Sequence, residues 1–471
     1  MRLTPDLCII GAGSGGLTVA AGAAQLGAEV VLVEGGRMGG DCLNYGCVPS
    51  KALIAAASKA HVHRSSGPYG VAGHEPDVDY AAAMEHVARA IAAIAPHDSQ
   101  ERFEGLGVTV LRDWARFVSP DEVAVGGTRI AARRFVIATG SSPAVPPVPG
   151  LDGVPFLTNE TLWENRTLPG HLVVIGGGPV GMEMAQAHRR LGSEVTVVQS
   201  GRALPNDDPE VAAVAVGRLC AEGVNLREHA RAARVSGTAG VIEVALEDGD
   251  AIRGTHLLVA AGRTPNLARL DLEAGGIAAN ARGVEVDRGL RSTTNARVHA
   301  IGDAAGGLRF THLASHHGGL VVRNALFRLP VRASTAHVPW ATYTDPEVAH
   351  VGLTEAAARE AGHAVEVHRA PFSGNDRAIA MGETEGLAKI VVGRRGRILG
   401  ASIVGPDAGE LISLWAFAIH AGRKIGAVAG YVAPYPTLGE VSKRAAGAYY
   451  QSRLFENPWA KRAVRLLARL G

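Results

Sequence analysis

The stretch GGDCLNYGCVPSK, Gly39 to Lys51, holds the most specific chemistry of the chain, because Cys42 and Cys47 stand five residues apart in it. Two neighbouring thiols can cycle between dithiol and disulfide and so carry two electrons. The stretch reads as the start of a helix. On a regular helix, Cα atoms at that spacing lie roughly 8.5 Å apart, beyond the roughly 4.4–6.8 Å that a disulfide usually tolerates. A bonded pair therefore requires a distorted helix, with Gly46 relaxing the backbone and Pro49 removing an N–H donor. A thiolate near a helix N-terminus is electrostatically favoured, which lowers its pKa and prepares it for exchange. The competing reading is two buried thiols in a packed helix, but Gly-Gly ahead of the pair and Pro-Ser-Lys behind it make a poor apolar face. Cys8 and Cys220 each stand alone in a strand or helix pattern and read as inert core thiols.

Such a pair needs a scaffold and an electron source. Asp6 to Glu34 reads as strand, glycine turn, helix and strand, and His171 to Gln199 repeats that plan. The chain thus carries two dinucleotide-binding units. Gly11, Gly13 and Gly16 permit a tight turn, close approach of a pyrophosphate to backbone N–H groups, and helix-on-strand packing; Gly176, Gly178 and Gly181 are expected to do the same. A carboxylate at the end of the second strand accepts ribose hydroxyls and repels a 2′-phosphate. Glu34 holds that place in the first unit, whereas Gln199 holds it in the second with Arg202 three residues on, so NADPH is tolerated there. Arg202 reads equally well as a solvated loop charge.

Each unit has a later echo, FVIATGSSP at Phe135 to Pro143 and LLVAAGRTP at Leu257 to Pro265, an apolar strand running into a glycine turn. Prolines mark a connector near residues 141 to 155. A further strand, Val298 to Gly302 followed by Asp303, returns the chain toward the first unit, and mixed strands and helices begin near Ala336.

The 471 residues are 47% hydrophobic and 20% charged with 60 glycines, enough core for about two to four domains. Few aromatic residues and abundant Ala, Gly and Val suit close-packed α/β layers. A net charge of +2 argues against a bulk nucleic-acid or membrane role, and no nucleic-acid partner is expected. No export signal is visible, and no apolar run reaches the roughly 18 residues of a membrane span. The body is expected to be soluble and cytoplasmic, where a reducing compartment favours catalytic use of a close cysteine pair.

The two glycine fingerprints, Cys42 with Cys47, ATG at Ala138 to Gly140, AAGRTPN at Ala260 to Asn266, IGDAAG at Ile301 to Gly306 and YTDPEVAHVG at Tyr343 to Gly352 occur together in this order. Over nearly the whole chain this set resembles the class I pyridine nucleotide-disulfide oxidoreductases, the family of dihydrolipoamide dehydrogenase, glutathione reductase and mercuric reductase. The resemblance implies FAD and NAD(P)H as cofactors, with Cys47 as the flavin-proximal thiolate and Cys42 as the outer thiol that attacks substrate. It places Asp303 on the FAD ribityl chain, Lys51 near flavin N5 and paired with Glu183, and Thr139, Gly140 and Gly262 among the cofactor-binding residues. It also points the helix start at His312 toward the flavin pyrimidine carbonyl. It implies a homodimer in which the segment carrying Tyr435 and Glu440 reaches the partner's cysteine pair.

The chain departs from this pattern near its C-terminus. Disulfide-reducing members carry His-Pro-Thr with a glutamate five residues after the histidine; here the residues are Tyr435, Pro436, Thr437 and Glu440. A phenol with a pKa of about 10 is a poor proton shuttle at neutral pH, so efficient lipoamide or glutathione disulfide turnover is not expected. A tyrosine there resembles mercuric reductase, but with the sequence read as ending ARLG that branch's C-terminal Cys-Cys pair and appended N-terminal metal-binding domain are not expected. Tyr435 is either a donor to a different substrate or a packed ring with a satisfied hydroxyl. His312 and His316 have the i,i+4 spacing of metal ligands, but no helical carboxylate or cysteine completes a site, and no metal centre is expected. The tail NPWAKRAVRLLARLG sets Trp459, Val464, Leu467 and Leu470 beside Lys461, Arg462, Arg465 and Arg469 in a basic helix. It reads first as a short surface helix packed on its own body, and otherwise as a contact with an anionic membrane or a partner.

The fold expected is α/β, with two Rossmann-type dinucleotide-binding domains and an α+β C-terminal dimerisation domain. The FAD-binding domain is divided over residues 1–145 and 269–335, the NAD(P)H-binding domain spans 146–268, the interface domain 336–455 and the basic tail 456–471. The function expected is passage of two electrons from NADPH or NADH through FAD to a small-molecule disulfide or other thiol-reactive acceptor. The alternatives are a mercuric-reductase-like metal-ion reductase, a diaphorase that bypasses the thiols, and a redox sensor docking through the basic tail.

Overall fold

In the first glycine segment the strand Leu7–Ile10 is buried along its whole length, because helices and a second sheet cover both its faces. It lies at the centre of a five-stranded parallel sheet in the order Val298–Ala300, Arg134–Ile137, Leu7–Ile10, Val30–Val33, Thr109–Leu111. On one face, helix Ser14–Gln25 packs against helix Thr311–Phe327 through small residues such as Gly15 and Ala314. The repeat builds its counterpart: His171–Ile175 pairs in parallel with Glu194–Val198 on one side and His256–Val259 on the other. A three-stranded antiparallel sheet, Ala232–Thr238, Val241–Leu246 and Ala251–Gly254, shares its core. The two echo segments meet directly, Ser141–Pro143 pairing antiparallel with Arg263–Pro265.

The structure is a computed structural model that describes residues 1–470; Gly471, the last residue of the tail, lies outside the described residues. The chain divides into two compact units. One comprises Met1–Gly176, Ala187–Val198 and Ala230–Ser334; the other comprises Gly177–Gln186, Gln199–His229 and the chain from Thr335 onward. From Thr335 the second unit holds a five-stranded antiparallel sheet in the order Pro339–Thr342, Glu347–Gly352, Ile398–Gly405, Leu387–Val392, Glu366–Pro371. Helices Ala408–His420 and Glu440–Ala448 close on it around the fully buried Trp415. The fold is thus α/β with Rossmann-like nucleotide-binding sheets and a separate α+β C-terminal part, as the sequence predicts.

Among the described residues no helix is long and apolar enough to cross a membrane. The C-terminal helix, Pro458–Leu467, corrects one expectation: it has no buried residue and does not pack on its own body. Its apolar face shows the same periodicity whether or not something covers it. Cys220 is a second correction, since it is exposed near the end of helix Pro209–Ala221, whereas Cys8 is buried and its thiol is pushed up to about 12 by that burial.

Candidate active site

The cysteines lie on two helices rather than on one distorted helix: Cys42 on Gly40–Asn44, and Cys47 as the first residue of Cys47–Ser65. The break falls at Tyr45 and Gly46, and Gly46 takes a non-helical conformation with φ −117° and ψ −107°. Pro49 does not contribute, because it sits in the first turn, where an N–H has no intrahelical acceptor to lose. The loop is set on the glycine motif itself. A Cβ on Gly40 would come within 2.7 Å of Gly13 Cα, so the two backbones approach more closely than any larger residue allows.

Residues distant in sequence pin the break. Tyr45 O accepts from Trp163 Nε1 at 2.9 Å, and Asp41 accepts from Asn159 Nδ2 and pairs with the Arg263 guanidinium, both at 3.0 Å. Arg263 Nε also donates to Ser141 Oγ at 2.7 Å, and Ser141 Oγ in turn hydrogen-bonds Asp303. One network therefore joins the cysteine loop, the paired echo strands and Asp303. Asp41, Arg263 and Ser141 lie inside motifs visible in the sequence; Asn159, Trp163 and Thr311 offer no spacing signal.

The two sulfurs are not bonded to each other but share a hydrogen bond; Cys42 is half-buried, and Cys47 is exposed as a residue while its sulfur is partly desolvated. Their acidities split widely. Cys47 is lowered from 9.0 to about 6, chiefly by the hydrogen bond from Cys42, with further help from Thr311 Oγ1 at 3.4 Å and the charge of Lys51 one turn along the helix. Burial and the Asp41 carboxylate oppose that shift. Cys42 moves the other way, because it supplies the shared proton and is partly desolvated. At neutral pH the pair is one thiolate at Cys47 and one thiol at Cys42. In the reduced protein the ultraviolet absorbance of a single thiolate is expected to disappear as pH falls through about 6. Two thiols titrating together near 9.0 show that the asymmetry is absent.

The same unit offers a set of groups suited to FAD. Helix Ser14–Gln25 has no side-chain cap and no acidic residue in its first turn, which leaves its N-terminal amides suited to an anionic diphosphate. The Glu34 carboxylate accepts from Ala12 N and Gly36 N, each at 2.6 Å, and retains lone pairs for ribose hydroxyls. Thr139 Oγ1 is a buried hydroxyl oxygen without a hydrogen-bond partner among the described residues. Gly140, next in the chain, has φ +65° and open space where a side chain would stand. Asp303 lies in the short helix Gly302–Ala305, its carboxylate hydrogen-bonded by Ser141. His312 is exposed in the first turn of helix Thr311–Phe327, its ring stacked on Phe310 with centroids 5.3 Å apart. An orphaned hydroxyl, an uncapped helix start and a carboxylate suited to a polyol fit FAD.

The second motif reproduces the first at atomic detail. Gln199 Oε1 accepts from Gly177 N at 2.8 Å, as Glu34 accepts from Ala12 N, so an amide does the loop-tying work of the carboxylate without its charge. Arg202 is half-buried and gives one guanidinium nitrogen to the carbonyls of Leu204, Pro205 and Asp207. Gly176 belongs to the first unit, with Gly262 at φ +130°; Gly178 and Gly181 belong to the second, where Gly178 O accepts from Met182 N at the start of helix Pro179–Leu191. Glu183 is buried and accepts from Tyr343 N at 2.9 Å. Lys51 and Glu183 belong to different units.

Tyr435 is not a packed ring: it is 70% exposed, and its hydroxyl donates to Asp376 Oδ2 at 3.1 Å. That hydrogen bond, together with the Asp376 charge, raises the phenol further above neutrality. Glu440 begins helix Glu440–Ala448, with its Oε2 buried and without a hydrogen-bond partner among the described residues. No cluster of three or more His, Cys, Asp or Glu that could hold a metal ion occurs among the described residues.

A thiol–thiolate pair set on a dinucleotide-binding glycine turn, with a second such turn later in the chain, defines a nucleotide-dependent thiol oxidoreductase. The family description "pyridine nucleotide-disulphide oxidoreductase" matches residues 5–318, and its dimerisation domain matches residues 338–446. The chain belongs to this family of flavoenzymes, which pass electrons from NAD(P)H through FAD to a disulfide or thiol-type acceptor. It is 35% identical over 445 residues to a mercuric reductase of Bacillus cereus, covering 93% of this chain and 70% of that protein. It is 35% identical over 472 residues to a dihydrolipoyl dehydrogenase of Thermus scotoductus, covering 96% and 98%. The solved Cu(II) complex of RclA, an HOCl-induced flavoprotein disulfide reductase from Escherichia coli, superposes with a TM-score of 0.83 at 29% identity, covering 93% of this chain and 98% of that one.

Proposed function

We propose that Cys42 is the thiol that meets the electron acceptor, that Cys47 is the thiolate beside the flavin, and that the acceptor is a thiol-reactive species, a soft metal ion ahead of a small disulfide. The observation that carries this reading is the asymmetry of the pair, with Cys47 held as the thiolate by Cys42, Thr311 and Lys51. FAD, when bound, supplies two-electron exchange between nicotinamide and the thiol pair. Residues 1–145 and 269–335 form the FAD-binding domain, 146–268 the NAD(P)H-binding domain and 336–455 the interface of a homodimer.

With a disulfide, Cys42 gives up its proton as its sulfur attacks one substrate sulfur and releases the first thiol; Cys47 then attacks Cys42 and releases the second, leaving a Cys42–Cys47 disulfide. One of the two protons in the products comes from the pair and one from solvent. The proton that Cys42 gives up is where Tyr435 fails, since its phenol stays protonated at neutral pH and cannot take that proton as a neutral imidazole does. A soft metal ion bound and reduced at thiolates makes a smaller demand on proton delivery. The name of the mercuric reductase among the similar proteins supports the same choice, while RclA, solved with Cu(II), is named a disulfide reductase and keeps the small disulfide as the second acceptor.

Anaerobic titration with NADPH, followed by Hg(II), Cu(II) and small disulfides, tests the reading. A long-wavelength thiolate-to-flavin band at two-electron reduction, with metal turnover exceeding disulfide turnover, is the expected result. Bleaching of flavin absorbance without that band refutes the thiol assignment.

Nucleotide choice rests on Gln199, which leaves no carboxylate to repel a 2′-phosphate. The substitution Gln199→Glu preserves the bond to Gly177 N, as Glu34 does with Ala12 N. It is expected to lower kcat/KM for NADPH by about tenfold, the effect of one charge repulsion of about 1.4 kcal/mol, with NADH little changed. Equal losses for both nucleotides show that Gln199 does not face the 2′ position.

A further inference from the structure

We infer that the C-terminal helix Pro458–Leu467 is an interfacial anchor that seats the enzyme on an anionic lipid surface. At about 100° per residue, Trp459, Ala460, Ala463, Val464, Leu466 and Leu467 fill an apolar arc of roughly 160°, while Lys461, Arg462 and Arg465 fill a separate arc of roughly 100°. Arg469 and Leu470 follow in the last turn. The apolar arc is bare: Trp459 is 74% exposed, Val464 66% and Leu467 65%.

Charge and composition select the occupant. Residues 458–471 contain four cations and no acidic side chain, and every other residue there is apolar or glycine. An anionic bilayer needs only an apolar face flanked by cations, and this helix presents both with no acidic side chain among them. A second copy of the chain, at a net charge of +2, offers these cations no net attraction. The family's dimerisation domain ends at residue 446, ahead of the helix. Ten residues rise about 15 Å, half the hydrocarbon thickness, so the helix lies in the interface with Trp459 at headgroup depth.

The test is sedimentation of the purified flavoprotein with vesicles of equimolar phosphatidylcholine and phosphatidylglycerol, against phosphatidylcholine alone. Binding confined to the anionic vesicles and weakened by salt is expected, with a blue shift of Trp459 fluorescence that Trp459→Phe removes. Each cation contributes about fivefold near an anionic surface, so Arg462→Glu with Arg465→Glu is expected to lower the partition coefficient at least about 25-fold, with NADPH oxidation unchanged. Leu466→Glu with Leu467→Glu is expected to abolish binding while light scattering still reports the wild-type oligomer. Equal binding to both vesicle types, or none, overturns the inference. So does loss of the oligomer in the leucine variant, which assigns the face to a contact between copies.

Discussion

Cys42→Ser is expected to lower kcat/KM for a thiol-dependent acceptor by at least about a thousandfold, because a serine hydroxyl neither attacks disulfides nor binds soft metals as a thiolate does. The same substitution is expected to spare Cys47. The largest cause of its low pKa is a hydrogen bond donated by Cys42, and a serine hydroxyl can donate in its place; Thr311 and Lys51 are untouched. The variant therefore separates two properties that a general structural defect moves together: turnover collapses while the Cys47 thiolate still titrates well below 9.0. Cys47→Ser differs in removing both, the thiolate signal along with turnover. A Cys42→Ser enzyme that reduces metal ions or quinones at the wild-type rate sinks the thiol route and leaves the diaphorase reading in its place.

The pH dependence follows with a defined sign. Cys47 lies below its ordinary value in the folded protein, so the thiolate is present above about 6 and is lost as pH falls through that value. Lys51→Met removes one favourable charge and is expected to move the midpoint upward, toward 9.0. Asp41 acts in the opposite sense, and Arg263 pairs with it, so the network that fixes the loop's shape also limits how far that carboxylate opposes the thiolate.

What the sequence made legible here is what local pattern encodes. The strands Leu7–Ile10 and His171–Ile175 announce themselves as apolar runs ending in glycine turns, and the two repeats agree down to the hydrogen bonds of Glu34 and Gln199. The cysteine loop was legible as a distortion but not as a break between two helices, because what pins Tyr45 and Asp41 comes from Asn159 and Trp163, more than a hundred residues away. Thr311, which touches Cys47, is farther still. The tail's amphipathic pattern was equally legible, but periodicity specifies an apolar face and says nothing of its cover. Cys220 shows the same limit at a helix end, where burial depends on what the last turn meets.

The glycine motif yields the second large effect, and it separates glycines that shape the fold from those that admit a ligand. A Cβ on Gly16 would lie 1.9 Å from Gly11 O, inside a tightly packed turn, so Gly16→Ala forces backbone to move. A destabilisation of about 4 kcal/mol or more is expected, from overpacking and a disrupted turn, and a melt of the flavin-free protein measures it. Gly13 has φ −82°, and its Cβ would meet nothing nearer than Gly40 Cα at 4.0 Å, an ordinary contact. Gly13→Ala is therefore expected to leave the flavin-free melting temperature unchanged. Should the diphosphate of FAD approach the backbone there, the new methyl group occupies the space it needs, and the flavin-to-protein ratio falls severalfold in a protein that is otherwise folded. A Gly13→Ala protein carrying full flavin places the diphosphate elsewhere, and a Gly16→Ala protein that melts like the wild type refutes the packing argument for the turn.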